Sequence, residues 1–166
     1  YGGGDSGVPK SYFYPYNIQK RGRGNENAPD LTNLPEVEEG YHLTDQLTDL
    51  TLGWLDENYK NKENRKPFFI YLSHYEVHTP FEGKSLLEEK YKIKKENLYR
   101  GENVQNEFLY ESTTGETKLR QDNNIYAAMI ENLDTNFGRV IKYLKENNLY
   151  KNTIIVFTSD HGGLSN

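Results

Sequence analysis

The stretch "YAAMIENLDTNFGRVIKYLKENNLYKNTIIVFTSDHGG", Tyr126–Gly163, changes period once, and that change decides the fold class. In its first part, counting from the preceding Ile125, apolar positions recur at helical spacing: Ile125, Met129, Leu133, Asn136 or Phe137, Val140 and Leu144. The spacing predicts a helix from Asp122 to about Asn147, with Gly138 as the point where it could bend. Thr153 to Phe157 are then all apolar or β-branched and too few for a helix, which reads as an interior strand. Ser159, Asp160 and His161 fall where that strand must end, and Gly162 and Gly163 let the backbone turn behind them. In open α/β sheets the carboxyl ends of strands are where ligands bind. A carboxylate and an imidazole there are usual metal ligands. The same residues also fit a plain polar turn in which Asp160 caps a following helix.

Working outward, "KPFFIYLSHYEVHTPF", Lys66–Phe81, reads as a second buried strand from Phe68 to about Ser73, followed by a loop. The chain has 4 histidines, and all but His42 lie at the ends of these two strands. His74 follows its strand directly and reads as a structural imidazole, as does His42 beside a helix start. His78 stands before a Thr-Pro turn, from which a side chain can project into a cleft. Upstream, "GYHLTDQLTDLTLGWLDENYK" places Leu43, Leu47, Leu50 and Trp54 on one helical stripe, with Thr44 as the expected N-cap. Tyr1 to Pro29 is rich in Gly, Pro, Asn and Tyr and predicts an irregular segment ordered, if at all, by its aromatics. Residues 82–120 show no clear period beyond a short helix at Leu86 to Tyr91, and read as a lid or an insertion.

The order helix, strand, lid, helix, strand implies an α/β domain with a mostly parallel sheet flanked by helices. Phe68 to Ser73 and Thr153 to Thr158 are expected to be neighbouring parallel strands, because a parallel pair needs a long crossover such as the intervening helix. Their carboxyl ends would then bring His78 and Asp160 to one cleft. At 166 residues the chain is long enough for one domain with a sizeable core, and 13% aromatic content argues against simple disorder. A net charge of -5 with no long basic run disfavours a nucleic-acid partner. No apolar run approaches the ~20 residues of a membrane span. With 0 cysteines there is neither a disulfide framework nor a thiolate metal site.

Three blocks, "GYHLTDQLTDLTLGWL", "KPFFIYLSHYEVHTPF" and the closing "YAAMIENLDTNFGRVIKYLKENNLYKNTIIVFTSDHGG", resemble in order successive segments of the formylglycine-dependent sulfatases, a branch of the alkaline phosphatase superfamily. "GVPKSYFYPY" resembles the segment leading into them. The resemblance implies a partial alkaline-phosphatase-like domain, residues 1–166 being the central portion of a catalytic domain truncated at both ends. It implies that Asp160 and His161 are ligands of a divalent cation, usually calcium. It implies that His78 contacts the sulfate ester and protonates the departing oxygen, chemistry that suits a side chain titrating near neutrality. The substrate implied is a small-molecule or carbohydrate sulfate ester, and the compartment implied is extracytoplasmic: periplasmic, secreted or lysosomal. The family's C/S-x-P-x-R nucleophile motif, its early paired aspartates and its lysine are not in this sequence. A formylglycine nucleophile is therefore expected outside this chain, and the chain alone is expected to be inactive. A metal-dependent phosphodiesterase or phosphatase of the same superfamily, with zinc at Asp160 and His161, is the nearest alternative, since imidazole suits zinc better than calcium. A non-catalytic domain of the same fold that binds an anion or a sugar is the third.

Overall fold

The computed structural model describes residues 9–17, 31, 33–60, 62–63, 66–101, 108–111, 113, 115–160 and 162. Helix α1 (Leu43–Tyr59) starts two residues earlier than a Thr44 cap would place it. The cap is His42: its Nδ1 accepts the Thr44 amide at 3.3 Å, filling one of the donors a helix start leaves open. An imidazole nitrogen can serve as such an acceptor when the ring is neutral, a use that cap preferences from sequence do not include. Asp45 in the first turn suits the positive end of the helix dipole.

Helix α2 (Ser85–Leu98) occupies most of the first half of residues 82–120, extending well past the short helix expected there. Strands β1 (Phe108–Glu111) and β2 (Gly115–Lys118) follow as an antiparallel hairpin, with Phe108 opposite Lys118 and Glu111 opposite Gly115. Helix α3 (Asn124–Glu146) lies within the predicted bounds and runs unbroken through Gly138. Its cap, Asn123, accepts from the Ile125 and Tyr126 amides at 3.1 and 3.0 Å. At its far end Asn148 takes φ 58°, a left-handed conformation that Asn tolerates, and a short 3₁₀ turn (Tyr150–Asn152) leads into extended chain.

Helices α1 and α3 pack side by side in the same direction, since their contacts climb both together. Asn136 donates to Asp45 at 2.7 Å, Arg139 pairs with Asp49, and Tyr143 donates to Asp56 at 3.2 Å. Tyr12, Tyr16, Leu43, Leu47 and Met129 form one core cluster, and Leu55, Tyr59, Leu144 and Leu149 a second. The aromatic-rich opening segment is thus part of the core through Tyr12 and Tyr16. The helical stripe turns away from Trp54, which is 41% exposed, toward Leu55 and Tyr59.

The two predicted interior strands are extended, and among the described residues neither is part of a sheet. Phe68 and Ile70 pack on the second cluster, Leu72 on the first, and Phe157 lies 5.0 Å from Phe137 between ring centres. Phe69, Tyr71, Ile154 and Val156 face outward. Both are expected from sequence to be buried: the first instead buries one face only, and Ile154, Ile155, Val156 and Phe157 are all exposed. A ladder needs a lateral neighbour at about 4.8 Å, and no backbone hydrogen bond joins Phe68–Ser73 to Thr153–Thr158. The expected parallel pairing is therefore not formed between them: the first segment lies on the core clusters through Phe68, Ile70 and Leu72, and the second touches α3 through Phe157. Among the described residues the only sheet is the β1–β2 hairpin.

Candidate active site

His78 sits in the loop between the first extended segment and α2. Its side chain is exposed, while the loop beneath it is held by buried groups. The His78 amide donates to the Tyr75 carbonyl at 3.0 Å, closing a turn. The ring's Nδ1 lies 3.1 Å from both the hydroxyl and the carbonyl oxygen of Thr79. When that hydroxyl donates to Nδ1, the neutral ring carries its proton on Nε2. Thr79–Pro80 is a cis peptide, as is Glu76–Val77.

Two carboxylates flank this loop, and both are buried. Glu82, 1% exposed, accepts the Ser11 hydroxyl and the Tyr12 amide on one oxygen, each at 2.8 Å. Glu76 accepts the Asn132 side-chain amide at 3.4 Å on each oxygen and lies 3.6 Å from His42 Nε2. Burial pushes the Glu76 carboxyl up to about 8, against the lowering influence of Thr44 and Asn132. Burial takes His42 down to about 4 although Asp45 opposes it. Near neutral pH the two therefore meet as an uncharged pair, not as a salt bridge. Burial alone takes His74 down to about 4 as well, and its Nδ1 is a buried atom without a hydrogen-bond partner among the described residues. His42 thus plays a structural part as the cap of α1, whereas His74 is not the satisfied imidazole expected from sequence.

The loop approaches α3 closely. A side chain at Gly83 would bring its Cβ to 2.9 Å from that of Ala128, nearer than packed carbons come, so only glycine fits unless the backbone shifts. Asn132 and Asn136 are both buried on α3, Asn132 in place of the Leu133 that sequence periodicity put in the core, and Asn136 as the buried member of the Asn136-or-Phe137 alternative. Asn132 Nδ2 also reaches His42 Nδ1 at 3.2 Å, so the cap of α1, the loop and α3 share one polar centre. Sequence reading missed Tyr12, Glu76, Glu82 and Asn132. The available signal was an acid on either side of His78 in the otherwise apolar "YEVHTPFEG", and asparagines recurring at helical spacing.

Asp160 is exposed at the end of the second extended segment, its Oδ1 3.5 Å from the Ser159 hydroxyl. His161 lies outside the described residues. Among the described residues no three His, Cys, Asp or Glu side chains are grouped as a metal site.

The family model for sulfatases matches residues 5–166. The chain belongs to the sulfatase family. A sulfatase of Formosa agariphila is 30% identical over 167 residues, covering 93% of this chain and 25% of its own length. An endo-4-O-sulfatase of Bacteroides thetaiotaomicron is 29% identical over 101 residues, 61% of this chain and 19% of that protein. The multifunctional alkaline phosphatase superfamily protein PehA of Trinickia caryophylli is 27% identical, covering 84% of this chain and 31% of its own. Among solved structures, that of Ps i-CgsB in complex with k-i-k-neocarrahexaose is 26% identical over 72% of this chain and 21% of its own, with a TM-score of 0.43. This sulfatase chain spans from 19% to 31% of the lengths of these curated relatives.

Proposed function

We propose that the protein to which this chain belongs hydrolyses sulfate esters, with His78 donating the proton that the leaving oxygen needs. Family membership over residues 5–166 carries this reading. Breaking the S–O bond of an unactivated ester expels an alkoxide, which requires an acid within hydrogen-bond reach. In the protonated ring, the form that can give up a proton, Nδ1–H donates to the Thr79 carbonyl at 3.1 Å and Nε2–H is the donor for that oxygen, which leaves the ring neutral. The nucleophile, a formylglycine in this reading, is supplied from outside the chain.

Asp160 and His161 would contribute to a divalent cation site. One carboxylate and one imidazole fit such a site only in part: calcium takes ~6–8 oxygens and zinc about four ligands. When bound, the cation would polarise the ester and hold the nucleophile's oxygens. The imidazole at position 161 favours zinc, and with it the second reading, a phosphodiesterase or phosphatase; the relative described as a multifunctional alkaline phosphatase superfamily protein fits that alternative. The relative named an endo-4-O-sulfatase supports an oxygen-linked sulfate as the substrate class. In the described residues no helix is long and apolar enough to cross a membrane.

The deciding measurement is made on the full-length protein with an alkyl or sugar sulfate, an activated aryl sulfate and an aryl phosphodiester. His78→Ala is expected to slow the poor leaving group by about 10²–10⁴-fold and the activated aryl sulfate far less. Equal losses on both sulfates would remove His78 from proton transfer. Faster turnover of the phosphodiester than of either sulfate would favour the second reading.

A further inference from the structure

The loop that presents His78 lies between an extended segment and a helix, and among the described residues no ladder holds that segment. What fixes the loop is a dipeptide more than sixty residues away in sequence. The Tyr12 hydroxyl lies between two carbonyls of the loop, 2.7 Å from Tyr75 O and 3.1 Å from His78 O. The Tyr12 amide and the Ser11 hydroxyl hold the Glu82 carboxylate on the other side of His78. Tyr12 cannot drift with the loop, because it is tied to α1. Its carbonyl accepts the Leu43 amide at 2.8 Å, and its ring stacks on His42 at 5.6 Å between centres.

We infer that Tyr12 is a positioning residue for His78, its hydroxyl fixing the Tyr75–His78 turn against the N-terminus of α1 so that the imidazole is held at one height over the site. This rests on His78 acting as the proton donor. The phenol suits the task. It is fully buried, and burial followed by the nearby Glu76 pushes its ionisation well above the ordinary tyrosine value, so it remains a hydrogen donor at any working pH. Removing the hydroxyl leaves the two carbonyls without that donor and the turn free to tilt. A donor displaced by about 1 Å can lose up to about 10²-fold in rate.

The test uses the full-length protein, Tyr12→Phe, His78→Ala and the double variant, with one unactivated and one activated sulfate ester. Tyr12→Phe is expected to lower kcat on the unactivated ester by about 10-fold with KM changed less than about 3-fold, and to affect the activated ester little. In the double variant the Tyr12 change should add nothing to the His78→Ala loss, because it acts through the ring already removed. Glu82→Gln, which keeps the shape and weakens the clamp from the other side, should give the same split between esters. Unchanged kcat in Tyr12→Phe, or equal losses on both esters that multiply in the double variant, would overturn the inference. If His78→Ala itself spares both esters, it is the proton-donor reading that fails. If His78→Ala slows the unactivated ester while Tyr12→Phe and Glu82→Gln do not, only the positioning role fails.

Discussion

Asn132 shows how much one side chain can join. Its amide nitrogen reaches Glu76 on the His78 loop and His42 at the start of α1, from a wholly buried place on α3. Leucine has a similar volume, yet it would leave Glu76 and the ring nitrogen of His42 without that donor, and buried polar groups without partners are costly. Asn132→Leu is expected to destabilise the chain by about 1–3 kcal/mol. Denaturant unfolding with fluorescence detection measures this, and a gain in stability would show that the polar centre is dispensable. Helical periodicity marks this face of α3 as core. It does not say that two of its innermost residues are asparagines bonding across to α1 and the loop, because periodicity reports facing and not partners.

Phe68 packs edge to face on Tyr59, with centres 4.9 Å apart, while Phe69 is 88% exposed. Phe68→Ala should therefore cost about 2–3 kcal/mol in unfolding free energy and Phe69→Ala less than about 0.5. Comparable losses for the two would mean that the segment's facing is reversed. "FFIYL" is apolar throughout and reads as a buried strand, so the exposure of Phe69 and Tyr71 was not legible: it depends on which face of the extended chain meets the helices. Pairing was not legible, because a ladder depends on which other backbone comes alongside. The cap of α3 is a simpler matter. Asn123→Ala should cost about 1 kcal/mol and Asn123→Asp much less, as the two amide bonds to its oxygen imply.

For the whole molecule, three buried titratable groups set a pH dependence. His42 and His74 remain neutral down to about 4, whereas an unfolded histidine protonates near 6.5. Between those values the unfolded chain binds more protons, so both groups make stability rise with pH. Glu76 keeps its proton up to about 8 in the fold and loses it near 4.5 when unfolded, so its contribution falls as pH rises through that interval. Two rising contributions outweigh one falling one up to about 6.5, and above it only the fall remains, so this trio places maximum stability near pH 6.5. From there to pH 8 the loss should be at most about 2 kcal/mol, one proton being worth ~1.4 kcal/mol per pH unit. Unfolding curves at pH 5, 6.5 and 8 check the shape. Glu76→Gln should abolish the fall above pH 6.5, and a variant that still declines there would assign the effect to another group.

Local patterns in the chain were enough to read the helices at Leu43–Tyr59 and Asn124–Glu146, the extended runs after each, and the sulfatase blocks that singled out His78, Asp160 and His161. These are local matters: periodicity, turn residues and the spacing of chemical groups within a few residues of each other. Tertiary structure alone decided that α1 and α3 run side by side in one direction and that the aromatic opening segment enters the core. It also decided that Tyr12, His42, Glu76, Glu82 and Asn132 converge beneath His78. The reason is physical. A buried polar group must find a partner wherever the fold can offer one. Here the partners lie as far apart in sequence as Tyr12 and Glu82, a distance over which no local pattern carries information.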